Sequence, residues 1–289
     1  MSRVGFVGLG NMGKGMCKNL ILKGNDVSVY DVYKPAMEAF AGKAHMCESL
    51  EEVLDRSEFI FLSLPNSEII EATIESFLAH GVEGKIIVDT STAFPVSTRN
   101  LHQRLKEAGA GLVDSPLIAG PQEAAEGTLV AVAAGDKEDV ERVHDLLMCY
   151  CVKYDYVGQS GNGHLVKLAQ NFSGLTQALL YAEIFPIMER YGISPEETYK
   201  IFDNDVFNNW VFRFYGEKYV KEEYRMDFAL KLGLKDLAYM KRLFENVNVP
   251  AFLLDGALDL LRVSLKEGEG KPLDFSHAAA TMYEFVREK

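Results

Sequence analysis

The chain has 289 residues, of which 48% are hydrophobic and 25% charged, and its formal net charge is −12. That length exceeds the usual size of one domain and predicts two. The acidic balance argues against a nucleic-acid-binding protein, whose phosphate contacts require a basic face. No apolar run approaches the ~20 residues of a membrane span. We therefore expect neither nucleic acid nor a membrane as a partner.

Residues 1–5 enter a strand pattern almost directly, without the apolar stretch of a signal peptide, which predicts a cytoplasmic protein. No CxxC pair occurs, and Cys149 and Cys151 are too close in sequence for an ordinary disulfide or a zinc knuckle, so we expect reduced structural thiols. We also expect no metal site. The four cysteines are Cys17, Cys47, Cys149 and Cys151.

In the first half of the chain, short apolar segments alternate with segments of helical period. The predicted strands are residues 3–8, 26–30, 59–64, 85–89, 111–114 and 129–134. The predicted helices are residues 12–23, 67–80, 97–108 and 137–149. This alternation predicts a doubly wound α/β domain of Rossmann type, with a mostly parallel sheet covered on both faces.

After about residue 160 the strand signal fades and helical patterns follow. One long pattern covers residues 164–191, and we expect Pro186 to break it because proline lacks the backbone N–H. Ser194 is a typical helix cap, followed by Pro195. Further helices are predicted at residues 228–245, 251–266 and 275–287. We therefore divide the chain into an α/β domain, residues 1–161, and an all-α domain, residues 162–289.

A glycine-rich turn joins the first predicted strand to the first predicted helix. Gly8, Gly10 and Gly13 give the pattern G-x-G-x-x-G. The first glycine permits a tight turn, the second lets the backbone approach a pyrophosphate, and the third lets helix and strand pack closely. The helix N-terminus adds N–H groups and partial positive charge. The predicted cofactor turn comprises Gly8, Leu9, Gly10, Asn11, Met12 and Gly13.

Asp31 ends the second predicted strand and indicates which dinucleotide binds. A carboxylate there accepts hydrogen bonds from the ribose hydroxyls and repels a 2′-phosphate. The alternative is a solvated aspartate in a turn. We predict NAD as the cofactor. Because Tyr33 and Lys34 lie close by, the hypothesis includes a minor activity with NADP.

Five ordered segments along the chain form a recognisable set of motifs. They are residues 8–20, Leu64-Pro65-Asn66, Asp89-Thr90-Ser91-Thr92, residues 161–171 and Lys235-Asp236-Leu237. Together they resemble the motifs of the β-hydroxyacid dehydrogenase family, which includes 3-hydroxyisobutyrate dehydrogenase and tartronate semialdehyde reductase. The resemblance covers nearly the whole chain. It also extends to the wider superfamily of 6-phosphogluconate dehydrogenase, whose helical domain is much longer.

The resemblance implies an NAD-dependent oxidoreductase that interconverts a 3-hydroxy acid and its semialdehyde or oxo acid. It implies Lys167 as the general acid/base, and hydride transfer to a carbonyl does leave an alkoxide that needs a proton. Asn171 follows four residues later, on the same helix face, where it would orient substrate or Lys167. The alternative for Lys167 is a surface lysine of an amphipathic helix. Relatives pair through their helical half, which implies a homodimer or homotetramer.

The resemblance also implies contacts on the cofactor side. Lys235 would reach the cofactor or substrate, while Asp236 would be structural. His164 is not required by the family motif, so we expect it to be a packing or surface residue. The remaining predicted cofactor contacts are Leu64, Pro65, Asn66 and Thr92.

The predicted substrate loop departs from the family pattern DAPVSGG. Ile118 stands where a serine is expected to bind the substrate carboxylate, and Ala119 stands where a glycine is expected. The N–H groups of Ala119 and Gly120 remain candidates for holding an anion. With Lys167 and Asn171, these three residues form the predicted substrate site. We expect a 3-hydroxy acid that is bulkier or more apolar than the common substrates.

Two other functions fit parts of the sequence. An imine reductase shares this architecture, but such relatives usually lack the catalytic lysine. A non-catalytic dinucleotide-binding module would have kept the fold and lost turnover, and the altered loop at Ile118 is consistent with that.

Overall fold

A computed structural model describes residues 1–268 and 270–287. The chain forms two compact units, Met1–Lys167 and Leu168–Lys289. The predicted domain boundary, between residues 161 and 162, lies a few residues earlier than this division and stays a prediction.

The first unit contains a six-stranded, all-parallel sheet. Its order is β3-β2-β1-β4-β5-β6, so the chain moves outward in one direction and then returns to the other side of β1. This confirms the predicted doubly wound α/β fold. The strands are β1 (Arg3–Val7), β2 (Asp26–Tyr30), β3 (His45–Met46), β4 (Phe59–Leu62), β5 (Ile86–Asp89) and β6 (Gly111–Asp114).

Helices cover both faces of this sheet. Successive strand side chains point to opposite faces. Phe61 accordingly packs in one core cluster, whereas its neighbours Ile60 and Leu62 pack in another. Both clusters are buried, which explains the near-continuous apolar strands. The helices are α1 (Gly13–Leu22), α2 (Pro35–Glu38), α3 (Leu50–Arg56), α4 (Ser67–His80) and α5 (Pro95–Glu107).

A second, three-stranded sheet completes the first unit. Its order is β7-β8-β9, with β7 antiparallel and β9 parallel to β8. The strand predicted at residues 129–134 therefore belongs to this mixed sheet and not to the parallel one. The helix predicted at residues 137–149 is two shorter helices. The elements are β7 (Leu117–Ile118), α6 (Pro121–Glu126), β8 (Leu129–Ala133), α7 (Lys137–Arg142), α8 (His144–Leu147) and β9 (Cys151–Tyr156).

Helices α1 and α6 are in close contact. The side-chain amide of Asn19, which is buried, donates to the carbonyl oxygens of Ala124 at 2.9 Å and Ala125 at 3.3 Å. A Cβ atom on Gly15 would lie 2.6 Å from the carbonyl carbon of Ala124. Glycine at this position lets α6 approach the backbone of α1.

The regular secondary structure described in the second unit is helical, apart from an isolated bridge between Ala229 and Asp274. Helix α9 (Asn162–Arg190) starts in the first unit and continues through Pro186, so the predicted break is wrong. Phe185 is completely buried in the core beside the proline, which holds the helix in place there. The remaining helices are α10 (Pro195–Phe202), α11 (Trp210–Lys221), α12 (Leu230–Asn246), α13 (Phe252–Glu267) and α14 (His277–Arg287). Among the helices described, none has the length and apolar character to cross a membrane.

Candidate active site

The glycine turn between β1 and α1 has the backbone geometry that a pyrophosphate needs. Gly8 has a φ of 94°, in the left-handed region that favours glycine. A Cβ on Gly13 would lie 2.0 Å from the carbonyl oxygen of Gly8, so α1 and β1 pack at a distance that only glycine permits. At Gly10, by contrast, no atom lies within 4 Å of the Cβ position. The turn thus combines a tight bend, close packing and an open backbone.

The other predicted members of the turn differ in exposure. Leu9 is buried, Asn11 is exposed, and Met12 is half-buried at the start of α1. The N–H groups of the first helical turn lack intrahelical partners and favour an anion there.

Asp31 lies immediately after β2 and supports the turn. Its Oδ2 accepts the backbone N–H of Leu9 at 2.6 Å, and its Oδ1 accepts that of Tyr33 at 2.7 Å. An ionised carboxylate has about four lone-pair sites. Both oxygens therefore retain capacity to accept a ribose hydroxyl.

Two loops at the carboxyl ends of β4 and β5 are bonded to each other. The N–H of Leu64 donates to the hydroxyl of Ser91 at 2.9 Å. In a second bond the donor lies in the other loop: the N–H of Phe94, after β5, donates to the hydroxyl of Ser67, after β4, at 2.8 Å. The sequence did not single out either serine. These bonds join two of the predicted cofactor loops at one edge of the sheet.

The predicted contacts in these loops have different surroundings. Pro65 is exposed and Thr92 is half-buried. Asn66 is the cap of α4, since its Oδ1 accepts the N–H of Ile69 at 2.9 Å. For a contact with cofactor, Asn66 thus has its amide nitrogen and one remaining lone pair of Oδ1.

Asp114, at the end of β6, anchors the start of α9. Its carboxylate is completely buried and accepts three hydrogen bonds, from the N–H of Gly161 at 2.8 Å, the N–H of His164 at 3.1 Å and the hydroxyl of Ser160 at 3.2 Å. A Cβ on Gly163 would lie 2.7 Å from the same carboxylate. The glycines before Lys167 therefore let a buried carboxylate reach the helix N-terminus, where negative charge is stabilising.

His164 is completely buried. Of the two positions that we predicted for it, packing or surface, the surface position is therefore excluded. Its Nδ1 is 2.8 Å from the hydroxyl oxygen of Thr98, and its Nε2 is 3.7 Å from Oδ2 of Asp89. Asp89 and Thr98 are also buried. Sequence reasoning missed this group, because its members are brought together from β5, α5 and α9.

Lys167 is half-buried on α9, one turn after His164. It is the last residue of the first compact unit. Asn171 follows one turn later on the same helix, so the helix periodicity aligns the two side chains along one face.

Asn171 belongs to a polar cluster in the second unit. Its amide nitrogen donates to Oδ2 of Asp236 at 2.7 Å, and Oδ1 of Asp236 is 3.2 Å from the ammonium of Lys235. The same ammonium lies 5.4 Å from the centre of the Tyr239 ring. Asp236 is buried, and it brings together Asn171 and Lys235 of the predicted site.

The predicted substrate loop is built on β7. Ile118 is half-buried and pairs with Val130 of β8. Ala119 is exposed and has a φ of 94°, a conformation that favours the glycine of the family pattern. The N–H of Gly120 donates to the carboxylate of Glu123 at 2.9 Å. An anion at Gly120 would have to displace that carboxylate.

Among the residues that the structure describes, His45, Cys47 and Glu52 could together hold a metal ion, with ligand atoms within 4.8 Å of one another. Two of these candidate ligands are already hydrogen-bonded. His45 and Glu52 are bonded to each other at 2.6 Å, and Glu52 also accepts the N–H of Glu48. Burial, and secondarily the charge of Glu52, raise the pKa of Cys47 to about 11, so the thiol keeps its proton at neutral pH.

The fold and the turn define a dinucleotide-binding α/β protein with an added helical unit. Residues 3–158 match the family model of the NAD-binding domain of 6-phosphogluconate dehydrogenase. Residues 161–282 match that of the NAD-binding of NADP-dependent 3-hydroxyisobutyrate dehydrogenase.

Individual proteins agree with the family models. The mitochondrial 3-hydroxyisobutyrate dehydrogenase of Drosophila melanogaster is 28% identical over 256 residues, which are 86% of this chain and 79% of that protein. The 2-(hydroxymethyl)glutarate dehydrogenase of Eubacterium barkeri is 30% identical over 254 residues, covering 86% and 84%. A solved 3-hydroxyisobutyrate dehydrogenase of Mycobacterium tuberculosis, with L-serine, superposes with a TM-score of 0.89 at 24% identity, covering 98% and 99%.

The chain therefore belongs to the β-hydroxyacid dehydrogenase family. It is an oxidoreductase that acts on a hydroxyl-bearing carbon of a small molecule, and its cofactor is NAD. The open backbone at Gly10 and the carboxylate of Asp31 fit that cofactor.

Proposed function

We propose that this enzyme interconverts a 3-hydroxy acid and its semialdehyde or oxo acid, with Lys167 as general acid and base. One observation carries most of the proposal. The start of α9, which bears Lys167, is bonded to Asp114 at the carboxyl end of β6. That end lies on the same edge of the parallel sheet as the glycine turn after β1. Dinucleotides bind at this edge of doubly wound sheets.

The sheet order supports a cofactor that extends from the turn towards α9. Strands β4 and β5 lie between β1 and β6, so the turn and the anchor of α9 are about 14 Å apart at ordinary strand spacing. The order changes direction at β1, where a dinucleotide crosses the sheet. With a pyrophosphate at the turn, the loops after β4 and β5 would be the residues that hold the nicotinamide half.

Lys167 is proposed to transfer the hydroxyl proton, since hydride transfer moves only the hydrogen on carbon. When bound, NAD accepts a hydride from the hydroxyl-bearing carbon, and its reduced form returns it. In oxidation the substrate hydroxyl loses its proton to the neutral amine of Lys167. In reduction the ammonium of Lys167 donates that proton to the developing alkoxide.

Asn171 is proposed as an orienting residue next to Lys167. Asp236 can only accept hydrogen bonds when ionised, so the amide nitrogen of Asn171 faces it. The amide oxygen therefore points away from the carboxylate and is available to accept a hydrogen bond. A fixed amide on the same helix face as Lys167 holds a hydroxyl or an ammonium without losing side-chain entropy on binding. Lys235 as a contact of cofactor or substrate stays a prediction.

The two predicted domains have different proposed roles. We propose that residues 1–161 bind NAD and that residues 162–289 supply substrate contacts and subunit contacts. Within the substrate loop, Ile118 offers an aliphatic group where a hydroxyl is the family pattern. The proposed substrate is therefore a 3-hydroxy acid with an apolar or bulky substituent.

A substrate panel with two lysine variants tests the proposal. NADH absorbance is followed with NAD and 3-hydroxyisobutyrate, L-serine, 2-(hydroxymethyl)glutarate or longer-chain 3-hydroxy acids, and with NADH and tartronate semialdehyde. We expect turnover that falls by a factor of about 10³ or more in Lys167→Ala. Lys106→Ala is the matched control, since it removes an exposed lysine paired with Asp136 in the same unit. It should keep full activity.

The same panel separates the other candidate functions. Reduction of a cyclic imine such as 1-pyrroline, without turnover of any 3-hydroxy acid, would indicate an imine reductase. Binding of NADH without turnover on any substrate would indicate a non-catalytic module. Full activity of Lys167→Ala would exclude the proposed proton transfer.

We propose a homodimer or homotetramer assembled through the helical unit. The support is a set of large apolar side chains exposed there, including Tyr191, Trp210, Phe252 and Leu253. Sedimentation equilibrium should show species of two or four times 32.2 kDa. A single 32.2 kDa species at micromolar concentration would contradict assembly.

We propose the cytoplasm as the place of action. All four cysteines are buried and unpaired with one another, as is usual in a reducing compartment. Cell fractionation with an antibody to the native protein tests this. Recovery with a membrane-bounded organelle or the periplasm would contradict it.

A further inference from the structure

We infer that His164 is a positioning residue, which holds the first turns of α9, and with them Lys167, against the carboxyl ends of β5 and β6. The inference rests on the proposed role of Lys167. It assigns a function to a histidine that the family motif does not require.

The contacts of His164 come from three different elements. The imidazole Nδ1 is 2.8 Å from the hydroxyl oxygen of Thr98 on α5. The backbone N–H donates to Asp114 at the end of β6, at 3.1 Å. Nε2 is 3.7 Å from the carboxylate of Asp89 at the end of β5. One residue therefore joins the helix to two adjacent strand ends and to α5.

Both ring nitrogens of His164 face polar groups. Nε2 is too far from the carboxylate of Asp89 for a hydrogen bond, so that contact is electrostatic. Nδ1 is within hydrogen-bond distance of the Thr98 hydroxyl, which also contacts the carbonyl oxygen of Phe94. Because these groups are buried, the ring cannot exchange its partners for water without a cost.

Asp89 connects this contact to the cofactor side. Its Oδ1 accepts the N–H of Ser91 at 3.0 Å, which shapes the loop containing Thr92. The imidazole of His164 thus links α9, the helix that carries Lys167, to the residue that shapes a predicted cofactor loop. Displacement of a catalytic group by about 1 Å can reduce a rate on the order of a hundredfold. Such a link fixes the position of the amine relative to the strand ends.

The experiment uses three variants and a matched control. His164→Leu removes both ring contacts, His164→Gln keeps an N–H donor for Asp89, and Thr98→Val removes only the hydroxyl. Thr73→Val is the control, because Thr73 is a buried helical threonine whose hydroxyl also contacts the carbonyl four residues earlier. The constants kcat and KM are measured with NAD and the most rapidly oxidised acid of the panel, in wild-type and Lys167→Ala backgrounds.

We expect kcat to fall on the order of tenfold to a hundredfold in His164→Leu, with less loss in Thr98→Val and partial recovery in His164→Gln. The KM for NAD should change less than threefold, because the glycine turn is untouched. In the Lys167→Ala background, His164→Leu should cause no further loss, since residues that act as a unit are not additive.

Normal kcat in folded His164→Leu or Thr98→Val would overturn the inference while leaving Lys167 as the proton-transfer residue. Independent losses in the double variant would also overturn it. Full activity of Lys167→Ala would instead refute the proposed function, and this inference with it. Hydrogen exchange at the amides of residues 161–167 gives a readout without substrate. Faster exchange in both His164→Leu and Thr98→Val than in Thr73→Val supports the anchor, and equal exchange refutes it.

Discussion

The carboxylate of Asp31 accepts the backbone N–H of Leu9 at 2.6 Å, so the residue that would recognise the ribose also braces the glycine turn. Its second oxygen accepts the N–H of Tyr33. We therefore expect the ribose contact and the shape of the glycine turn to depend on the same side chain.

Replacing Asp31 should weaken NAD binding and reduce discrimination against NADP. A hydrogen bond to a charged group contributes roughly 1.5–3 kcal/mol. Asp31→Asn should therefore raise the KM for NAD by about tenfold to a hundredfold, and loss of the charge should lower the KM for NADP. Steady-state kinetics with both cofactors measures this. Asp26→Asn, at the other end of the same strand, should change neither constant. An unchanged preference in Asp31→Asn would refute the ribose contact.

Alanine substitutions at two glycines of the turn should have different effects: one should weaken NADH binding, and the other should lower the stability of the protein. In Gly10→Ala the new Cβ meets no protein atom, so the free energy of unfolding should change by less than about 0.5 kcal/mol, while NADH binding weakens at least tenfold. In Gly13→Ala the Cβ meets the carbonyl oxygen of Gly8, which should cost about 1–3 kcal/mol of stability.

Urea unfolding and NADH fluorescence titration measure the two quantities. Gly256→Ala on α13 is the control, because its Cβ also meets nothing and lies in the second unit. Its NADH affinity should be unchanged. Equal NADH affinity in Gly10→Ala and wild type would contradict a pyrophosphate at this turn.

Ile118→Ser should shift substrate preference towards 3-hydroxyisobutyrate or tartronate semialdehyde. A hydroxyl at this position restores the family pattern and can hydrogen-bond a polar substrate group. The ratio of kcat/KM between these substrates and longer-chain 3-hydroxy acids should change by about tenfold or more. The same substrate panel measures it. No change in the ratio would show that Ile118 does not contact substrate.

Ala119→Gly should stabilise the protein. A non-glycine residue at a φ of 94° costs about 1–3 kcal/mol, whereas the extra chain entropy of glycine costs about 0.5–1 kcal/mol. We expect a net gain of about 1 kcal/mol in the free energy of unfolding, measured in urea. The control Ala39→Gly, at an exposed alanine with a φ of −62°, should lower stability. A loss of stability in both variants would mean that Ala119 is unstrained.

Asp274 should make the helical unit sensitive to acid. Burial alone would raise its pKa, but hydrogen bonds from Ser276, Phe228 and Asp227 outweigh burial and lower the pKa below its ordinary value of 3.8. The folded protein therefore holds the proton more weakly than the unfolded chain. The stabilisation is fully present above about pH 4 and is lost as the pH falls through the lower, folded-state pKa.

Asp274→Asn tests this dependence. The variant should lose about 1–3 kcal/mol at pH 7, because the half-buried Lys218 loses one of its two carboxylate partners and keeps only Asp227. Its stability should also fall less steeply between pH 5 and 3 than that of the wild type. Asp259→Asn, which removes an exposed pair with Arg262, should cost less than about 1 kcal/mol. An identical acid profile for wild type and Asp274→Asn would contradict the pKa argument.

The parallel sheet could be predicted because its signals are local. The apolar strand before Gly8 and the periodic helix after Gly13 are read from about twenty consecutive residues. Short elements gave no such signal. Strand β9 was missed because its side chains are mostly exposed, and its pairing with β8 makes it a strand.

The environment of the candidate site could be predicted only in part. The motif around Lys167 identified the helix, but not what anchors it. His164 is buried because Asp89 and Thr98, more than sixty residues away along the chain, surround it. The contact at Gly120 is different, because Glu123 lies only three residues further along the chain and its carboxylate accepts the Gly120 N–H at the start of α6. This local cap was readable from the sequence but was not used in predicting the substrate loop.

The contact between Asn19 and Ala124 limits how the loop of residues 115–127 can be exchanged. An engineer who transplants this loop from a relative to change specificity also removes the acceptors of a buried amide and the surface that fits against Gly15. In a chimera that keeps Asn19 but lacks a matching α6, that amide would retain only its bond to the carbonyl oxygen of Gly15, and its second N–H would be buried without an acceptor. Successful grafts should therefore carry the inward face of α1 together with the loop.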